Sequence, residues 1–79
     1  DLMDTRGEVS AAGARVFLEN PPAAQDCPAA ARLDAAGAVF LGKTTMTELA
    51  FSGLGLNPHF GTPPNALEPT RIPGGSSSG

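Results

Sequence analysis

Ten glycines and eight prolines interrupt this chain of 79 residues, and their density limits the fold more than any other feature. Proline fixes φ and removes a backbone donor, while glycine inside a helix or strand weakens it. Regular elements must therefore be short and fit between the breaks. The apolar supply is thin as well: the only aromatics are four phenylalanines. A chain this short buries only about 60% of its unfolded surface. These features predict loops and short elements without a self-sufficient core, and the chain reads as a piece of a larger protein.

The net charge is −3, with no basic run. Binding of nucleic acid through a positive patch is therefore not expected. Apolar stretches such as residues 35–41 fall far short of the about 20 residues that span a bilayer, so no membrane segment is expected. No signal-peptide pattern is visible. Cys27 is the only cysteine, which excludes an internal disulfide, argues against a cysteine-built metal site and favours a reducing, cytoplasmic setting. Nothing in the residues calls for a metal or a cofactor.

Residues 1–25 read as loop, with a turn at Asp4-Thr5-Arg6-Gly7 and a firm break at Asn20-Pro21-Pro22. Asp26 is the expected N-cap of a helix with Pro28 in its first turn. Residues 29–36 are rich in helix formers, and Gly37 is the natural terminator. Ala38-Val39-Phe40-Leu41 is apolar throughout, as in a strand buried on both faces. Thr45 or Thr47 is expected to cap a second short helix reaching Phe51, with Glu48 in its first turn. From Ser52 onward the chain reads as loop. Helix, glycine, buried strand, polar turn and helix make half of an α/β unit.

Gly37-Ala38-Val39-Phe40-Leu41-Gly42-Lys43-Thr44 matches the phosphate-loop pattern G-x-x-x-x-G-K-[ST] letter for letter. A phosphate loop follows a strand and curls its middle residues so that their N–H groups face phosphate. Here the middle residues look like the strand itself, and a helix precedes them. A nucleotide-binding module is therefore the disfavoured reading from a different class. Lys43 is better read as supporting a turn or pairing with a carboxylate.

The chain closes on Pro73-Gly74-Gly75-Ser76-Ser77-Ser78-Gly79, a composition that flexible linkers share. Its context is more specific. Ala31-Arg32-Leu33-Asp34-Ala35-Ala36-Gly37-Ala38-Val39 is followed by Leu41-Gly42-Lys43-Thr44-Thr45-Met46-Thr47-Glu48-Leu49-Ala50. Next come Asn57-Pro58-His59-Phe60-Gly61-Thr62-Pro63 with Asn65, and Arg71-Ile72-Pro73 before the glycine-serine run. Together with Asp1-Leu2-Met3-Asp4-Thr5-Arg6-Gly7, this sequence resembles the amidase signature family, hydrolases and amidotransferases with a Ser–cis-Ser–Lys triad. Thr45 departs from the pattern, which usually has Asn there, and residues 10–14 are a loose version of a more Thr-rich segment.

The resemblance implies that residues 1–79 are part of a single amidase signature domain, incomplete at both ends. The implied fold is α/β, a mixed central sheet covered by helices on both faces. Amide hydrolysis needs a nucleophile, a base and donors for the oxyanion. By resemblance Ser76 relays the proton, and Gly75-Ser76 is the family's cis peptide. The lysine and the nucleophilic serine would lie outside this chain, which alone is expected to be inactive. Gly74, Gly75 and Ser77 would belong to the active-site loop, with Ser77 equally suited to bonding loop backbone. Ala50, Phe51, Ser52 and Gly53 match the stretch lining the acyl pocket, although Phe51 suits a core role equally well.

His59, the only histidine, reads as a packed loop residue because the scheme needs no histidine. Arg71 either orients the loop or is solvated. The implied partners are a small-molecule amide and the remainder of the polypeptide, with room left for a homo-oligomer. An amidase is the first reading, since Ser52-Gly53-Leu54-Gly55-Leu56-Asn57-Pro58-His59 looks like a general amidase. The amidase component of a tRNA-dependent amidotransferase and allophanate hydrolase are the alternatives. A structural segment with a flexible tail is the non-catalytic one.

Overall fold

The computed structural model describes residues 1–79 as a slab of 39 × 29 × 17 Å. Its regular elements are one α-helix, α1 (Pro28–Ala35), and single 3-10 turns at Arg15–Phe17 and Glu48–Ala50. Helix α1 starts where Pro28 occupies the first turn and Cys27 takes the N-cap position. Asp26 is not the cap: its Oδ1 accepts the Arg6 N–H at 2.6 Å. That bond, with Cys27 N–H to the Asp4 carbonyl at 2.9 Å, fastens the helix entry to the first loop. The exit is a Schellman motif. Gly37 sits at φ 88°, and the N–H groups of Gly37 and Ala38 reach the carbonyls of Asp34 and Leu33. Only a left-handed residue closes that pattern without strain, which explains the glycine.

The strand expected at residues 38–41 is not formed. No β-ladder exists among these residues, and Val39 and Leu41 are 81% and 96% exposed. A strand exists through its hydrogen-bonded neighbour, and residues 39–41 make no backbone–backbone hydrogen bond to any other part of this chain. The second expected helix shrinks to the turn Glu48–Ala50. Leu49 at φ 53° and Ala50 at φ 57° lie in the left-handed region that ends a right-handed helix. The 3-10 turn at Arg15–Phe17 carries no breaker or cap that would have marked it in advance.

The structure is held mostly outside regular elements. It contains 24 backbone–backbone hydrogen bonds, against about 50 for an ordinary domain of this length. Eight residues are buried, and the largest fully buried side chain is the polar Asn57. Around it lie Gly13 and Met46, whose carbonyls it holds. The expectation of a thin core is met.

Lys43 is a fastener of the fold. Its ammonium donates to the Val9 carbonyl at 3.3 Å and to Ser10 Oγ at 3.2 Å. Carboxylate oxygens of Asp1 and Glu8 stand 3.7 and 3.9 Å away. The lysine of the apparent phosphate loop is thus committed to its own protein, and the helix adjoining that motif precedes it.

Candidate functional site

Asn57 builds the site from below. Its Nδ2 donates to the carbonyls of Gly13 at 2.8 Å and Met46 at 2.7 Å. Its Oδ1 accepts the N–H groups of His59 and Phe60, each at 2.9 Å. All hydrogen-bonding positions of one buried amide are filled, as burial requires. Three distant stretches are thereby fixed: the loop at Gly13, the segment at Met46 and the turn after Asn57. The role of Asn57 was not evident in the sequence; the turn-prone Asn-Pro pair was its only signal.

The segment around Met46 holds the glycine-serine run. Thr47 N–H donates to the Ser76 carbonyl at 2.8 Å, and Gly79 N–H donates to the Thr45 carbonyl at 2.9 Å. Ser78 Oγ adds a longer bond to the same Thr45 carbonyl, 3.4 Å. Residues 76–79 therefore run opposite to residues 45–47 and are pinned at both ends. The flexible-tail reading is overturned by these bonds. The Gly75-Ser76 peptide is cis. Ser76 is half-buried, and Gly75 and Ser77 are exposed.

A second contact comes from Gly55. A Cβ on Gly55 would overlap the Gly74 carbonyl, and one on Gly75 would stand 2.8 Å from both Cα and N of Gly55. Two backbones pack together where no side chain fits. In the full-length protein, Gly55→Ala is therefore expected to destabilise by about 1–3 kcal/mol, the usual range for overpacking, and to depress catalysis further by displacing the loop. Urea denaturation and kcat measured together check this; unchanged values of both would refute the contact.

Residues 47–55 thus meet the serine loop at both ends. The candidate acyl-pocket residues lie on this arc. Ala50 and Ser52 are half-buried, and Gly53 is exposed. Ser52 Oγ accepts the Leu54 N–H at 3.2 Å. Phe51 is 92% exposed, so it has no core role among these residues. A cavity of about 390 Å³ opens elsewhere: Asp1, Phe40, Lys43, Met46 and Ser77 are among its lining residues, and neither Ser76 nor residues 50–53 line it. His59 is exposed, not packed; the chain turns there on the Asn57 amide. Arg71 is exposed as well. Its loop is shaped by Asn65, whose Nδ2 donates to the Ile72 carbonyl at 3.1 Å and whose Oδ1 accepts from Leu67 and Glu68.

Known proteins share this sequence and shape. A family model described as Amidase matches residues 1–79. Amidase 1 of Oryza sativa subsp. japonica is 45% identical over 80 residues, covering all of this chain and 18% of that protein. A glutamyl-tRNA(Gln) amidotransferase component of Chlorobium limicola is 49% identical over 63 residues, covering 80% of this chain and 13% of that protein. A solved structure, from work on a vestigial protein complex and the evolutionary origins of an s-triazine catabolic enzyme, superposes with a TM-score of 0.93. It is 40% identical, and the match covers 98% of this chain and 17% of that one. The chain thus spans less than a fifth of the length of these relatives.

Proposed function

This chain belongs to the amidase family, whose model it matches from residue 1 to residue 79, and from that premise we propose that the full-length protein hydrolyses carboxylic amides to acid and ammonia. The observation that carries the reading is the pinned loop bearing Ser76, held between the Thr47 amide and the Thr45 carbonyl. Ser76 is assigned the proton relay. The nucleophilic serine and the lysine base come from the remainder of the polypeptide. The nucleophile attacks the amide carbon while its proton passes through Ser76 to the neutral lysine. The proton then returns to the departing nitrogen, the C–N bond breaks, and ammonia leaves an acyl-serine ester that water cleaves.

The α/β arrangement belongs to the same proposal. Residues 38–41 would become a strand once the remainder of the domain supplies partners, and exposed Val39 and Leu41 would then be covered. Ala50, Phe51, Ser52 and Gly53 are assigned to the acyl side, with Gly74, Gly75 and Ser77 shaping the loop. We place the protein in the cytoplasm, consistent with the free thiol of Cys27; no helix is long and apolar enough to cross a membrane. Likeness to an amidotransferase component supports a second reading, ammonia transfer in a tRNA-dependent complex.

The test is ammonia release from simple aliphatic and aromatic amides by the purified full-length protein, without tRNA or partner proteins. Hydroxylamine should divert product to the hydroxamate by intercepting the acyl-serine. Ammonia formed only with charged tRNA would favour the second reading. Turnover without hydroxamate would remove the covalent intermediate.

A further inference from the structure

Thr47 carries a hydroxyl that the fold buries and leaves unused. The residue is 7% exposed, and its Oγ1 has no hydrogen-bond partner. Thr47 is the N-cap of the turn Glu48–Ala50, yet its side chain caps nothing. The reason is local. A capping hydroxyl accepts an N–H from the second or third residue of the helix. Here Leu49 N–H goes to the Ala12 carbonyl at 2.8 Å, and Ala50 N–H goes to the backbone carbonyl of Thr47 at 2.9 Å. Both donors are taken, so the hydroxyl is free for another purpose.

The surroundings indicate which one. Thr47 Oγ1 would lie 3.3 Å from a Cβ on Gly75, so it stands against the residue before Ser76. The amide of the same threonine holds the Ser76 carbonyl at 2.8 Å. One residue therefore meets the serine loop with its backbone and with an unspent donor. A buried hydroxyl without a partner is expensive. Within residues 1–79 the acceptor is missing, while the place where it must arrive adjoins Gly75 and Ser76.

We propose that Thr47 is a positioning residue for Ser76: its amide fixes the Ser76 carbonyl, and its hydroxyl bonds an acceptor brought against Gly75 and Ser76 when the full-length enzyme assembles its site. The inference rests on the relay role assigned to Ser76. It predicts that the hydroxyl matters for turnover more than for substrate binding.

The experiment compares Thr47→Ser, Thr47→Ala and Thr47→Val in the full-length protein, with Ser76→Ala alongside. Ser and Ala both lose the methyl group, and only Ser keeps the hydroxyl. The expected result is that kcat of Thr47→Ser exceeds that of Thr47→Ala by at least tenfold, with KM within twofold and melting temperatures alike. Thr47→Val, which fills the space without the hydroxyl, should follow Ala. If Val folds poorly, the Ser-to-Ala ratio still decides. A ratio below threefold, or a loss appearing only in KM, would overturn the positioning role. If Ser76→Ala is inactive while all Thr47 variants turn over normally, this inference fails alone. If Ser76→Ala remains fully active, the relay role and the inference fall together.

Discussion

Ser76→Ala in the full-length protein is expected to lower kcat for amide hydrolysis by about 10²–10⁴-fold, the range contributed by a positioned proton-transfer group. The substitution isolates the hydroxyl. What Ser76 gives to the fold is its carbonyl, which accepts the Thr47 amide, and alanine keeps that carbonyl. Melting temperature should therefore stay close to the parent value while turnover collapses. The neighbouring serines are internal controls. Ser77 is exposed, and Ser78 bonds only the Thr45 carbonyl, at 3.4 Å. Ser77→Ala and Ser78→Ala should each change kcat by less than about tenfold, well short of the proton-transfer range. Steady-state kinetics on one simple amide suffices. A Ser76→Ala variant with more than a tenth of the parent kcat would remove this serine from the chemistry.

The largest effect on stability is expected at Asn57. Asn57→Asp preserves shape and removes the donors that satisfy Gly13 and Met46. Each buried carbonyl left unpaired costs about 1–3 kcal/mol, and the new carboxylate faces both oxygens. On that scale a loss of about 4 kcal/mol is expected, with the urea midpoint falling and the m-value little changed. Asn57→Ala should also destabilise: it strands the same carbonyls and, unlike Asp, releases the N–H groups of His59 and Phe60 as well, but it adds no buried charge. Equal stability of the parent and the aspartate variant would show that the buried amide is not what joins the three stretches.

What could be read in advance follows the range of the interaction. The helix was legible because its signals are local. Pro28 opens α1, and Gly37 takes the left-handed position that closes it. Asp26 misled because a carboxylate before a helix is usually a cap, whereas here it turns back twenty residues to the Arg6 amide. Residues 38–41 have the composition of a buried strand, but composition does not provide the neighbouring strand. The glycine-serine run is recognisable through its resemblance to a family. How it is held was not readable, since bonds from Thr47 and Gly79 to facing carbonyls join main-chain atoms that every residue possesses. Gly55 and Asn57 escaped for a related reason: their partners lie far along the chain, at Gly74 and Gly75 for one and at Gly13 and Met46 for the other.

The arc from Thr47 to Gly55 acquires a different meaning once both of its anchorages are known. Its ends meet the serine loop through a peptide N–H at Thr47 and a bare backbone at Gly55. Neither attachment uses the side chains between them, and Leu49, Phe51 and Leu54 are all exposed. On the proposed assignment of residues 50–53 to the acyl side, the arc would be an exchangeable cassette: its lettering could be rewritten to suit a new acyl group while the two fastenings keep the serine loop in register. For directed evolution, diversity belongs at positions 49–54, and the codons for Thr47 and Gly55 should be left alone.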